Sequence, residues 1–192
     1  MSGLYARGDW MQTYSGGRYY PMDPRPEDIE PRDIAHALSL LCRCPVWGSM
    51  NGGHVDRFYS VAEHCVLMSE AVAPEHALYA LLHDATEAYV VDVPRPLKRY
   101  LDRYRDIEAL SWYAIANRFN LPSLALPVEV KDADNAILLT ERDALMPRAG
   151  RWSQDDDYDP LPVTVTGWAP EEAERRYLDR LAALTEHPED RP

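Results

Sequence analysis

Apolar residues recur at helical spacing along most of the chain. Ile34, Ala37, Leu38 and Leu41 form a stripe that predicts a helix from about Pro31 to Arg43, with Pro31 suited to a first helical position. Val61, Cys65, Met68 and Val72 predict a second helix. Ser60-Val-Ala-Glu63 in front of it reads as a capping box, the Ser60 side chain capping the Glu63 amide while Glu63 reaches back, and Pro74 ends it. A third helix, Ala77 to Ala88, is apolar nearly all round. Further helices are expected over about Asp102–Phe119 (Ile107, Leu110, Tyr113, Ala114, Phe119 inward), Val128–Met146 (Val130, Ile137, Leu138, Leu145 inward) and Pro170–Leu184 (Ala173, Tyr177, Leu181, Leu184 inward). The pattern is that of an all-α domain of six or seven helices, with a core over about 31–146 and a C-terminal helix over about 170–184. Ser15-Gly-Gly-Arg-Tyr-Tyr20 reads as a short hairpin with Gly16-Gly17 as its turn.

Between these stripes the periodicity fails. Pro45, Gly48, Gly52 and Gly53 mark a loop over 44–57 that carries Trp47, Met50 and His54. Such a loop suits contact with a substrate, and Trp47 suits either stacking on a base or packing under the loop. Asp92-Val-Pro-Arg-Pro-Leu-Lys98 turns the chain. Residues 147–168 are irregular, and their run Asp155-Asp156-Asp157 lacks the spacing of a calcium loop and reads as solvated. Residues 187–192 read as a frayed tail. No internal repeat or domain boundary is evident.

Composition narrows the partners. The 192 residues carry a net charge of -12, which argues against sequence-independent nucleic-acid binding. A small anionic ligand is still admitted if a metal and local cations such as Arg95, Lys98 and Arg99 offset the field. Cys42, Cys44 and Cys65 are an odd number and no disulfide framework, which favours a reducing, cytoplasmic setting. Cys42-x-Cys44 could be half a zinc site, but no second close pair accompanies it. No apolar run approaches a membrane span, and the first residues do not read as a signal peptide.

The chemistry sits on the most apolar helix. His83, Asp84 and Glu87 lie within little more than one turn there, a costly placement unless they pair or bind metal. A satisfied core His-Asp pair is the plain alternative. His64 lies beside the inward stripe of the second helix. Asp134 and Glu141 share the inward face of the 128–146 helix, with Asp132 on another side. His36 reads as structural. Two imidazoles and two carboxylates, His64, His83, Asp84 and Asp134, suit a divalent cation such as zinc, cobalt or manganese. A cation would acidify water toward a nucleophile at neutral pH.

The order His64, His83-Asp84, Asp134 resembles that of the HD-domain phosphohydrolases. It is most similar to small deoxynucleotide 5′-nucleotidases and to dATP triphosphohydrolases of the DatZ type. The matching segments are Tyr59-Ser-Val-Ala-Glu-His64-Cys, Leu81-Leu-His83-Asp84-Ala-Thr-Glu87, Asp92-Val-Pro-Arg-Pro-Leu-Lys98 and Ala133-Asp134-Asn135, across roughly Asp33 to Met146. The resemblance implies the HD helical fold, with His64, His83, Asp84 and Asp134 as metal ligands. It implies Glu87 and Asp92 beside the attacked phosphorus, handling protons or a second cation, with Arg43 and Lys98 on phosphate oxygens. The implied reaction is water attack next to the 5′ oxygen. It would release a deoxynucleoside with phosphate or triphosphate, in a homo-oligomer of the bacterial cytoplasm, or of the host cytoplasm if phage-encoded. The loop between Arg43 and His64 is longer than in close relatives, which leaves base choice open. A signalling-nucleotide phosphodiesterase and a non-catalytic, metal-stabilised nucleotide-binding protein are the alternatives.

Overall fold

In a computed structural model, residues 7–43, 58–146 and 150–186 are described. The described residues are mostly helical, with a two-stranded hairpin as their only sheet, so the expected all-α class holds at that level. Among them no helix is long and apolar enough to cross a membrane. The chain divides into two compact units, 1–34 with 85–124, and 35–84 with 125–192.

The second unit is built on helix α2 (Val61–Ala71), whose residues Val61 to Ser69 are all buried. It packs against α3 (Ala77–Leu82), α7 (Val128–Leu145) and α8 (Pro170–Thr185). The stripe of α8 is as expected, with Ala173, Tyr177 and Leu181 buried, and Tyr177 donates its hydroxyl to the Leu81 carbonyl at 3.0 Å. Half of the expected capping box forms: Ser60 Oγ accepts from the Glu63 amide at 3.1 Å. The Glu63 carboxylate does not reach back. It accepts the amides of Thr166 (2.7 Å), Gly167 (2.9 Å) and Trp168 (2.6 Å), three convergent donors that no local turn could supply. Gly167 adopts φ 78°, a region favourable to glycine, to aim them.

Helix α1 (Pro31–Leu40) stops three residues before the expected Arg43. The next residues turn extended and pair with the start of α2: Arg43 N donates to the Tyr59 carbonyl (2.8 Å), and Val61 N to the Leu41 carbonyl (3.0 Å). The strand-like pairing places Arg43 beside α2. His36 is structural as expected, its Nδ1 3.0 Å from Glu174 Oε2. In the acidic run Asp156 and Asp157 are exposed as expected, and Asp155 is half-buried. Asp155 accepts Arg142 Nη1 at 2.5 Å and the Trp152 amide at 2.6 Å, within a turn over Ser153–Asp156.

The expected continuous helix from Ala77 to Ala88 is interrupted. α3 ends at Leu82, residues 83–86 form turns, and α4 covers Glu87–Val90. His83 Nδ1 takes the Ala80 carbonyl at 2.8 Å, a side-chain bond competing with the helical ladder where α3 ends.

In the first unit the hairpin lies earlier than expected, Met11–Gln12 against Arg18–Tyr19, with Ser15 in the turn and Gly16 at φ 93°. Asp33 anchors that turn by accepting Ser15 N (2.6 Å) and Oγ (2.9 Å). Tyr19 stacks on Tyr89, with ring centroids 4.1 Å apart. Its hydroxyl lies 2.6 Å from Ser111 Oγ, which itself donates to the Ile107 carbonyl, so Tyr19 is the donor. Helix α6 (Asp102–Arg118) therefore buries Ser111, Ala114, Ile115 and Ala116. Leu110 and Tyr113, expected inward, are exposed, because the buried face runs through Ser111, Ala114 and Ile115 instead. The Arg95-Lys98 segment is a short helix, α5 (Arg95–Lys98), where only a turn was expected.

Candidate metal centre

Four side chains from three places in the second unit converge. α2 carries His64, the end of α3 carries His83 and Asp84, and α7 carries Asp134. His64 Nε2 lies 3.3 Å from His83 Nε2, 3.7 Å from Asp84 Oδ2 and 3.5 Å from Asp134 Oδ1. His83 Nε2 lies 3.3 Å from Asp84 Oδ2 and 3.8 Å from Asp134 Oδ1. Ligand bonds of about 2.1 Å in a tetrahedral shell put donor atoms about 3.4 Å apart; the five separations above scatter around that figure, while Asp84 and Asp134 stand farther apart, so His64, His83 and Asp134 form the tighter group. The residues fit a divalent cation by spacing and by donor chemistry.

Both imidazoles are oriented through their other nitrogen. His83 Nδ1 donates to the Ala80 carbonyl, and His64 Nδ1 donates to Glu141 Oε1 at 2.5 Å. Each ring thus directs Nε2 at the cluster, the arrangement that carries metal-ligating histidines. Cys65 and His83 also group with Asp84 as possible donors. Burial pushes the Cys65 thiol up to about 11, which makes it the poorest donor of the set.

Arg43 supplies the cationic counterpart. Its Nη1 donates to Asp84 Oδ2 at 2.7 Å and its Nη2 to Asp134 Oδ1 at 3.0 Å, while Nε lies 3.6 Å from Glu141 Oε2. Burial opposes ionisation of Asp84, but the charges of His83 and Arg43 outweigh it and hold the carboxyl below its usual range. Asp134 is held low in the same way, against burial, by its contacts with the His64 and His83 rings and by Arg43. Burial pulls the His83 imidazolium down, yet the Asp84 charge and carboxylate hydrogen bonds raise it well above the ordinary value. The cluster is one of paired charges with two basic nitrogens facing two anionic oxygens.

Trp47, Met50, His54 and Cys44 lie outside the described residues. Glu87, Asp92 and Lys98 belong to the first unit. Glu87 is buried and Asp92 exposed. Tyr104 lies near both: burial, then the charges of Glu108, Glu87 and Asp92, push its phenol up. The Tyr104 hydroxyl donates to the Val91 carbonyl at 2.5 Å, and Val91 between the two acids has φ 58°. Lys98 pairs with Glu108 at 2.8 Å. Sequence reasoning missed Glu141 as part of the site. Its signal was present, seven residues after Asp134 on the same helical face.

No family model matches the chain. It is 42% identical to the Uncharacterized protein YfdR of Escherichia coli (strain K12) over 133 residues, which span 69% of this chain and 70% of that protein. The chain belongs to the YfdR family. It is also 37% identical to the Uncharacterized protein RCAP_rcc00048 of Rhodobacter capsulatus over 135 residues, 66% of each chain.

Proposed function

We propose that this member of the YfdR family is a metal-dependent phosphohydrolase of the HD type, acting on deoxynucleotides. The observation that carries the reading is the convergence of His64 and His83 Nε2 at 3.3 Å, each ring held through Nδ1, against Asp84 and Asp134. His64, His83, Asp84 and Asp134 would hold the cation, with zinc, cobalt and manganese matching the donors. When bound, it supplies positive charge for a phosphoryl group and acidifies water. Arg43 adds a fixed planar cation at the same cluster, suited to phosphate oxygens whose charge grows in the transition state. In this reading Glu87 and Asp92 handle protons or a second cation, Lys98 contributes a phosphate contact and Trp47 a base contact. The roles of Glu87, Asp92 and Lys98 rest on the resemblance of the sequence motifs, and that of Trp47 on its place in the loop over 44–57.

A second reading, a nucleotide-binding protein without turnover, is favoured by one observation. Arg43 and Lys98, the two cations assigned to phosphate, already have carboxylate partners in Asp84, Asp134 and Glu108.

Chromatographic product analysis separates them. The chain is incubated with dATP, dAMP and the other deoxynucleotides in the presence of cobalt, manganese or zinc, with chelator as control. Deoxyadenosine with intact triphosphate makes it a triphosphohydrolase, and release of phosphate from monophosphates alone makes it a 5′-nucleotidase. Bound metal with no turnover moves the assignment to the binding protein or to an enzyme of another nucleotide.

A further inference from the structure

Glu141 has no solvent exposure, yet it is an ionisable side chain set against other polar groups. Its Oε1 accepts the Tyr59 hydroxyl at 2.9 Å and His64 Nδ1 at 2.5 Å, and its Oε2 faces Arg43 Nε at 3.6 Å. Tyr59 is itself fully buried at the entry to α2, and Glu141 lies two turns beyond Asp134 on α7. Burying a carboxyl group is costly unless its oxygens are hydrogen-bonded, and among the described residues only Oε1 is, to Tyr59 and His64. The short contact to His64 gives the charge a purpose.

We propose that Glu141 is the positioning residue of the metal centre, fixing the tautomer of His64 and raising the donor strength of its Nε2. The inference rests on the reading that the cluster binds a divalent cation. Oε1 already accepts the Tyr59 hydroxyl, so the proton in its short contact with His64 belongs to Nδ1, and Nε2 offers its lone pair toward His83, Asp84 and Asp134. The two histidines are then unequal. His83 leans on a neutral backbone carbonyl, whereas His64 leans on an anion and is the stronger donor. Tyr59 holds the same oxygen from the other side, so the carboxylate cannot rotate away from the imidazole without losing a buried bond.

The test is metal affinity, measured on the full chain after chelator treatment, by competition with a metal-binding dye. Glu141→Gln keeps the volume and can still accept from Tyr59, but it removes the charge. Its expected effect is a zinc affinity about 10- to 100-fold weaker, with metal-free circular dichroism and Tm little changed. The visible absorption of the cobalt form should shift as well, a change that a merely structural role would not produce. Tyr59→Phe is the second variant, for the case in which Glu141→Gln fails to fold. It removes the brace on the same oxygen and should weaken zinc binding by a smaller factor. Wild-type zinc affinity and an unchanged cobalt spectrum in Glu141→Gln, or in Tyr59→Phe if that variant must stand in, overturn the proposal while leaving the phosphohydrolase reading intact. Failure of the unmodified protein to take up zinc or cobalt overturns both.

Discussion

His64 and His83 face each other through Nε2 atoms 3.3 Å apart, although one lies on α2 and the other just past the end of α3, and each is tethered through Nδ1. Two lone pairs so close, beside two carboxylate oxygens, repel unless a cation or a proton lies among them. Removing one ring should therefore abolish the shared cation. His83→Ala is expected to reduce bound zinc from one equivalent to near zero by atomic absorption. Chelator should lower the Tm of the unmodified protein and leave that of His83→Ala unchanged. One tightly held equivalent in the variant would sink the four-residue assignment.

Arg43 balances Asp84 and Asp134 in this structure. Truncating it leaves two partly buried carboxylates beside each other, and breaking such a pair costs about 3 kcal/mol. Arg43→Ala should lose about that much stability in denaturant titrations of metal-free protein and recover most of it at saturating zinc. An equal loss in both conditions would mean that arginine and metal do not serve the same carboxylates.

Glu63 ties α2 to the segment before α8 by accepting three amides. Glu63→Ala should cost about 3 kcal/mol, because buried donors are left without their anion. Glu63→Gln should recover only part, since an amide offers one acceptor atom where the carboxylate offers two. Chemical unfolding reads both, and a cost below about 1 kcal/mol for the alanine variant would refute the cradle.

Val91 is β-branched and adopts φ 58°, a conformation costing about 1–3 kcal/mol for such residues. Glycine relieves that strain but gains freedom in the unfolded chain worth somewhat less. Val91→Gly is expected to stabilise by about 1 kcal/mol. If Asp92 depends on the constrained turn for its role, the same variant should lower kcat. A destabilised variant would show that the backbone is relaxed there.

Buried phenols set an alkaline limit. Burial is the largest cause that raises Tyr19, to about 12, and Tyr59 and Tyr89 are raised as well. The unfolded chain releases these protons near pH 10, while the folded chain retains them. Stability is therefore full below pH 10 and falls as pH rises toward 12. Tyrosinate absorbance at 295 nm should grow in two steps, the exposed phenols first and the buried ones only together with loss of helical dichroism. A single step near pH 10 with helices intact would refute the burial of these rings.

The helices were largely legible because their causes are local. Stripes at 3.6-residue spacing, Pro31 at a first helical position and Ser60 as a cap act over a few residues, and α1, α2, α6, α7 and α8 lie close to where those signals put them. The convergence of His64, His83, Asp84 and Asp134 was legible too, since ionisable groups are costly at inward positions without a shared purpose. What tertiary structure alone decided are the partners of buried charge. Glu63 looked like half of a capping box, but three amides more than a hundred residues away outcompete one local amide. The helix at Ala77 looked continuous, but His83 turns back onto Ala80 where α3 ends. Glu141 read as one more polar residue on a helix face until folding set it against Tyr59 and His64, 82 and 77 positions away. Periodicity fixes which face of a helix is buried. Which donor meets which acceptor on that face depends on packing between helices distant in sequence, and a single sequence carries no local term for it.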